Sequence, residues 1–190
     1  MSIRETINSS IKVKEKILND NTLLTDIGKV VEICIATYRN DGKVLLCGNG
    51  GSAADAQHIA AELSGRFYYD RPPLAAEALH VNTSFLTAVA NDYDYNMVFS
   101  RMTEAMGREG DVLIGISTSG NSENVVKALE TAGNKGMHTI ALTGKSGGKL
   151  EQVSDICIKV PSGDTPRIQE AHILIGHILC EEIEKTLFPK

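Results

Sequence analysis

Unbroken apolar runs and amphipathic stretches alternate along most of this chain. Residues 44–47 are wholly apolar, and largely apolar runs recur at 111–116, 139–143 and 156–160, with a weaker one at 77–81. A short run without polar alternation suits a strand covered on both faces, the condition of strands in a parallel sheet. Between the runs the apolar spacing changes to three and four. It predicts helices from Ser52, placed as N-cap, to Arg66, then over 83–90, 95–106, 123–132 and about 165–187. Two more helical patterns precede the first strand, broken near 19–22; Ile7, Ile11 and Ile17 mark one, and Leu24, Ile27, Val30, Val31 and Ile35 the other.

This order predicts one α/β domain over 1–190, a doubly wound, flavodoxin-like parallel sheet of about five strands with an N-terminal helical arm over 1–40. Such an arm packs on its own sheet or on another subunit, and the second option points to an oligomer.

Composition narrows the picture. At 190 residues, 42% hydrophobic and 23% charged, the chain has the profile of a soluble globular protein. Its net charge of −5 speaks against a nucleic-acid surface, so an anionic ligand would be held by local amides and a few basic side chains. No apolar run approaches membrane length and the N-terminus lacks a signal-peptide core, so the expected location is the cytoplasm, with no membrane partner. Cys34, Cys47, Cys157 and Cys180 form no C-x-x-C pair, which suits reduced thiols.

Two strand-to-helix junctions carry candidate chemistry. The first, Gly48-Asn49-Gly50-Gly51-Ser52, can bring free amides at a helix N-terminus close to an anion or a polyhydroxyl group. It has neither the G-x-G-x-x-G spacing of a dinucleotide site nor the Lys-Ser or Lys-Thr of a P-loop. The second, Ser117-Thr118-Ser119-Gly120-Asn121-Ser122, gathers hydroxyls and amides at the next such junction, a cradle suited to a phosphate monoester. Asn91-Asp92 is either a turn or part of a pocket lining. Gly144-Lys145-Ser146 lacks the upstream glycine of a P-loop, since Thr139 stands there, and reads as a loop.

Asp55, His58 and Glu62 follow the first turn at spacings of three and four and share one helical face. A His and a carboxylate so placed can bind one metal ion or act as an acid/base pair; an exposed face with an incidental His is the plain alternative. Arg66 either complements a helix C-terminus or clamps a phosphate. On the last helix Gln169 and His177 lie roughly 80° apart around the axis and about 12 Å along it, so both reach one metal only near the limit of their side chains. His172, about 140° round from His177, reads first as a core or interface histidine and second as a ligand.

Taken together, GNGGSAADAQHIAAEL, Ala90-Asn91-Asp92, GISTSGNSENV and TPRIQEAHILIGHIL resemble the sugar isomerase (SIS) family, in particular the phosphoheptose isomerases, over nearly the whole chain. The resemblance implies a cytoplasmic homotetramer, with active sites at subunit interfaces and one zinc ion per subunit. It implies isomerisation of sedoheptulose 7-phosphate to D-glycero-D-manno-heptose 7-phosphate, the start of the ADP-heptose route to lipopolysaccharide. By position, His58, Glu62, Gln169 and His177 match the metal site, with Glu62 and His177 also as base and acid. Asn49, Gly50, Gly51, Ser52, Asn91, Asp92, Ser117, Thr118, Ser119 and Ser122 match substrate contacts, to which Asp55, Glu62, Arg66 and Gln169 are added. A non-enzymatic SIS-domain protein that binds the replication initiator DnaA is the alternative, since Leu187 to Pro189 resembles the ending of such a protein. That reading expects the acid/base groups to be missing.

Overall fold

The computed structural model describes residues 2–190. Five strands, β1 (Val44–Gly48), β2 (Ala76–Ala78), β3 (Val112–Ser117), β4 (His138–Thr143) and β5 (Ile156–Lys159), form one parallel sheet in the order β2-β1-β3-β4-β5. The expected strand at 77–81 is shorter and starts earlier, because it is an edge strand whose ladder to β1 ends as Leu79 donates to the Leu46 carbonyl.

Alternation within each strand builds two cores. Val44, Leu46, Val112, Ile114, Ile116, Ile140 and Leu142 face one side, where they meet α2 (Asn21–Arg39), α3 (Gly51–Ser64) and α8 (Thr165–Leu187), with α1 (Ile3–Leu18) at the margin. Leu45, Cys47, Leu113 and Ala141 face the other. There they meet α4 (Thr83–Asp92), α5 (Val98–Met106), α6 (Glu123–Asn134) and α7 (Leu150–Val153). Both faces are thus sealed, as the unbroken apolar runs require.

The N-terminal arm divides into two unequal parts. α2 is built into the molecule's own core through Leu23, Ile27, Val30, Cys34 and Ile35, whereas α1 buries only Val13 and Ile17. The break near 19–22 has a local cause: Asp20 caps α2 by accepting the Leu23 N–H at 3.0 Å. A single 3-10 turn, Tyr95–Met97, opens the predicted helix at 95–106, so α5 proper starts at Val98. The four cysteines are free, and burial pushes the Cys34, Cys47 and Cys180 thiols up to about 12.

From β1 the chain runs through α3 to β2 on one side, and β3 lies on the other side of β1. The C-terminal ends of β1 and β3 therefore flank the point where strand order reverses, the usual ligand crevice of such sheets. α3 leaves one of these ends, and α8 packs beside it. Their approach depends on Gly176: a Cβ there would lie 2.4 Å from Ile59 Cδ1 and 2.7 Å from Cγ1, and Ile59 is itself buried. Gly176→Val is expected to cost about 1–3 kcal/mol by overpacking, read as a lower urea midpoint with an unchanged slope.

Candidate functional site

The glycine-rich turn and the serine turn face each other and are locked together. Asn49 Nδ2 donates to Asn124 Oδ1 at 2.9 Å, and Asn124 Nδ2 returns a bond of 2.9 Å to Asn49 Oδ1. The Tyr95 hydroxyl donates to the same Asn49 Oδ1 at 3.1 Å. Asn124 and Tyr95 escaped the sequence reading: Asn124 looked like an ordinary first-turn residue, and only its being a polar position on an otherwise buried helix face distinguishes it.

Ser117 Oγ lies 2.9 Å from Ser122 Oγ and 3.4 Å from Ser119 Oγ, so three hydroxyls cluster where β3 ends. Ser122 is the N-cap of α6 but makes no side-chain capping bond, which leaves the first amides of that helix facing the cradle. A cavity of about 330 Å³ opens beside it, lined by Thr118, Ser119, Asn121, Ser162, Thr165 and Lys145 among others. The 144–148 segment is a loop as expected, and it brings Lys145 to this cavity.

On the glycine side, α3 begins at Gly51 with Gly50 as N-cap at φ 56°, a backbone state that glycine tolerates. Ser52 is therefore not the cap that was expected; it is buried inside the first turn. Gly51 is needed for contact, since a Cβ there would fall 2.3 Å from Gln169 Nε2.

Two turns further along α3, His58 meets α8. His58 Nε2 lies 3.0 Å from His177 Nε2 and 3.4 Å from Glu62 Oε1. The Phe67 ring packs on His177 with centroids 5.7 Å apart. Asp55 shares this face, its Oδ2 buried and unpartnered; burial pushes its carboxyl up while His58 and His177 pull the other way. His58 thus stands between a second imidazole on α8 and a carboxylate on its own helix. Gln169 does not join them: its amide sits at Gly51, two helical turns from both histidines.

Other expected members are exposed. Asn91 and Asp92 are exposed in the last turn of α4, which they do not terminate, and Asn91 Nδ2 bonds Asp92 Oδ1 at 2.9 Å. Arg66 is exposed and lies beyond α3, which ends at Ser64. The guanidinium that closes that helix belongs to Arg71, which donates to the carbonyls of Glu62 and Leu63.

Comparison with known proteins identifies the family and the fold. The SIS domain family profile matches residues 8–144. The chain is 56% identical to the phosphoheptose isomerase of Aneurinibacillus thermoaerophilus, over 98% of this chain and 94% of that one. It is 53% identical to that of Sulfurimonas denitrificans, over 98% and 95%. The solved phosphoheptose isomerase of Neisseria gonorrhoeae superposes with a TM-score of 0.90 at 46% identity, covering 96% of this chain and 97% of that one.

The opposite side of α8 carries His172, fully buried, with Nε2 3.1 Å from the Thr143 carbonyl and Nδ1 unpartnered. It is a core histidine that donates to the end of β4. Burial lowers it to about 4, partly offset by the bond to Thr143. Because the folded group resists protonation, its effect on stability is absent above the unfolded value near 6.5 and grows as pH falls from there to 4, where it costs about 3 kcal/mol. His172→Gln, which keeps a donor for Thr143, is expected to flatten that acid-side loss in urea titrations at pH 7 and pH 4.5.

Proposed function

The chain belongs to the SIS domain family and to its phosphoheptose isomerases, and from that premise we propose that it converts sedoheptulose 7-phosphate to D-glycero-D-manno-heptose 7-phosphate. Lipopolysaccharide precursor synthesis is the corresponding role. The observation that carries the reading is that His58, on the helix that starts at an anion-seeking turn, meets Glu62 along that helix and His177 of α8 across from it.

Moving a carbonyl from C2 to C1 requires a base for a carbon-bound proton and an acid for oxygen. Glu62 takes the proton from C1 and returns it to C2. His177 gives a proton to the C2 oxygen and recovers one from the C1 hydroxyl, so the exchange closes without any other reactant. Ser117, Ser119 and Ser122, with the first amides of α6, hold the phosphate, and Thr118 and Lys145 border it. Asn49, Gly50, Gly51 and Gln169 line the sugar end. Asp55 shares the helical face of His58, and its carboxylate favours positive charge on the histidine pair.

Zinc fits the donor chemistry of the cluster. Two ligands bound tetrahedrally at about 2.0–2.1 Å sit roughly 3.3 Å apart, close to the 3.0 and 3.4 Å spacings at His58. Among the described residues no three His, Cys, Asp or Glu side chains already form a cage, so the fit rests on donor type and pairwise spacing. His58, Glu62 and His177 would hold the ion, one per subunit, and Gln169 is better placed for the substrate. What zinc supplies when bound is polarisation of the C1 and C2 oxygens.

A homotetramer with active sites at subunit contacts completes the reading. Ile3, Ile7, Ile11, Leu18 and Leu24 are exposed, and Ile11, Ile17, Leu18, Leu24, Leu174 and Ile178 line an apolar groove of about 370 Å³. Asn91, Asp92 and Arg66, all exposed, would act from across such contacts. A cytoplasmic location is consistent with the absence, among the described residues, of a helix long and apolar enough to cross a membrane. Glu62 and His177 are the acid/base groups that the DnaA-binding alternative expects to be missing.

Incubation with sedoheptulose 7-phosphate is expected to yield the aldose, and no turnover would refute the assignment. Glu62→Gln should lower kcat by about 10²–10⁴-fold with an unchanged circular dichroism spectrum. Metal analysis of the purified protein should find about one zinc per chain, a ratio that follows from one such cluster per subunit.

A further inference from the structure

Beneath the histidine pair lies an ion pair sealed from solvent. The side chains of Arg71, between α3 and β2, and Glu184, in the last turns of α8, are each 1% exposed, with Nε to Oε2 at 3.0 Å. Glu184 Oε2 also accepts the Phe67 N–H at 2.9 Å, and Oε1 accepts the Tyr68 N–H at 2.8 Å. Arg71 in turn donates Nη2 to the Glu62 carbonyl at 2.9 Å, and Nη1 to Leu63 at 2.8 Å and Pro72 at 3.0 Å. Burial works against the charge on Glu184, but the Phe67 and Tyr68 amides and the Arg71 guanidinium outweigh it, and its carboxyl lies below the usual range.

A buried pair of this kind is a weak source of stability, since apolar side chains of similar volume often serve as well. What it adds is direction. The guanidinium closes the end of α3 at the residue that carries the candidate base. The carboxylate fixes the amide of Phe67, whose ring rests on His177, and it does so from two turns further along the helix that bears His177. Both reacting side chains are thus tied to one point.

We propose that Arg71 and Glu184 are positioning residues for the isomerisation, holding the last turn of α3, Phe67 and α8 in the register that sets Glu62 and His177 on either side of His58. The proposal rests on the isomerase reading above. A displacement of about 1 Å at a reacting group is enough to cost on the order of 10²-fold in rate.

Glu184→Gln keeps the shape but turns an NH2 toward one of three donors. Asp111→Asn is the matched control: Asp111 is also buried, accepts from the Lys43 and Arg108 amides and the Lys43 ammonium, and none of its hydrogen bonds reaches α3 or α8. Measured well below each unfolding midpoint, Glu184→Gln is expected to lower kcat by roughly 10–100-fold with KM nearly unchanged, while Asp111→Asn loses stability and keeps kcat. The Hε1 resonance of His177 should also move toward its position in Phe67→Leu, because the ring above it shifts. Unaltered kcat in Glu184→Gln, equal losses in both variants, or a His177 resonance that does not move would overturn the proposal. A parent protein without turnover refutes the activity alone, since the resonance still reports the positioning.

Discussion

The contact between α3 and α8 is the constraint on which the site depends. Each helix is amphipathic and would cover the same face of the sheet at ordinary interhelical spacing, but side chains at the crossing would then hold the imidazoles apart. Gly176 removes the obstacle opposite Ile59, and the next residue on α8 is His177. The same economy holds at the other end of α3, where Gly51 leaves room for the Gln169 amide. Chemistry and packing are therefore one problem here: wherever the backbones draw close, polar side chains from one helix reach the other.

The sheet supplies the rest of the geometry. Parallel strands point all their C-terminal ends the same way, so the turns after β1 and β3 emerge side by side without any special device. One presents glycine and amide groups, the other hydroxyls and a helix N-terminus. A phosphosugar needs both kinds of surface, and adjacent strands bring the two side by side.

Much of this was legible in the chain because burial on both faces leaves a strong mark. The apolar runs at 44–47, 111–116, 139–143 and 156–160 became β1, β3, β4 and β5, and Glu62 and His58 stood at a spacing that only a shared helical face explains. Boundaries were less readable. Ser52 looks like a cap by residue type, yet Gly50 takes that place because the chain must turn with positive φ before the helix begins. Asn91-Asp92 looks like a stop but is accommodated in the final turn of α4. Least legible were partners distant in sequence: Asn49 with Asn124 are 75 residues apart and Arg71 with Glu184 are 113 apart. No local pattern announces such pairs, because each member alone has the composition of a loop or an exposed helix.

The reciprocal amide pair between Asn49 and Asn124 has its own consequence. Each side chain offers a donor where the other offers an acceptor, so neither amide can rotate by half a turn unless its mate does the same. The two ligand-facing rims are geared to one another, and a sugar phosphate that shifted one of them would carry the second along, making the mouth of the crevice answer as a single piece.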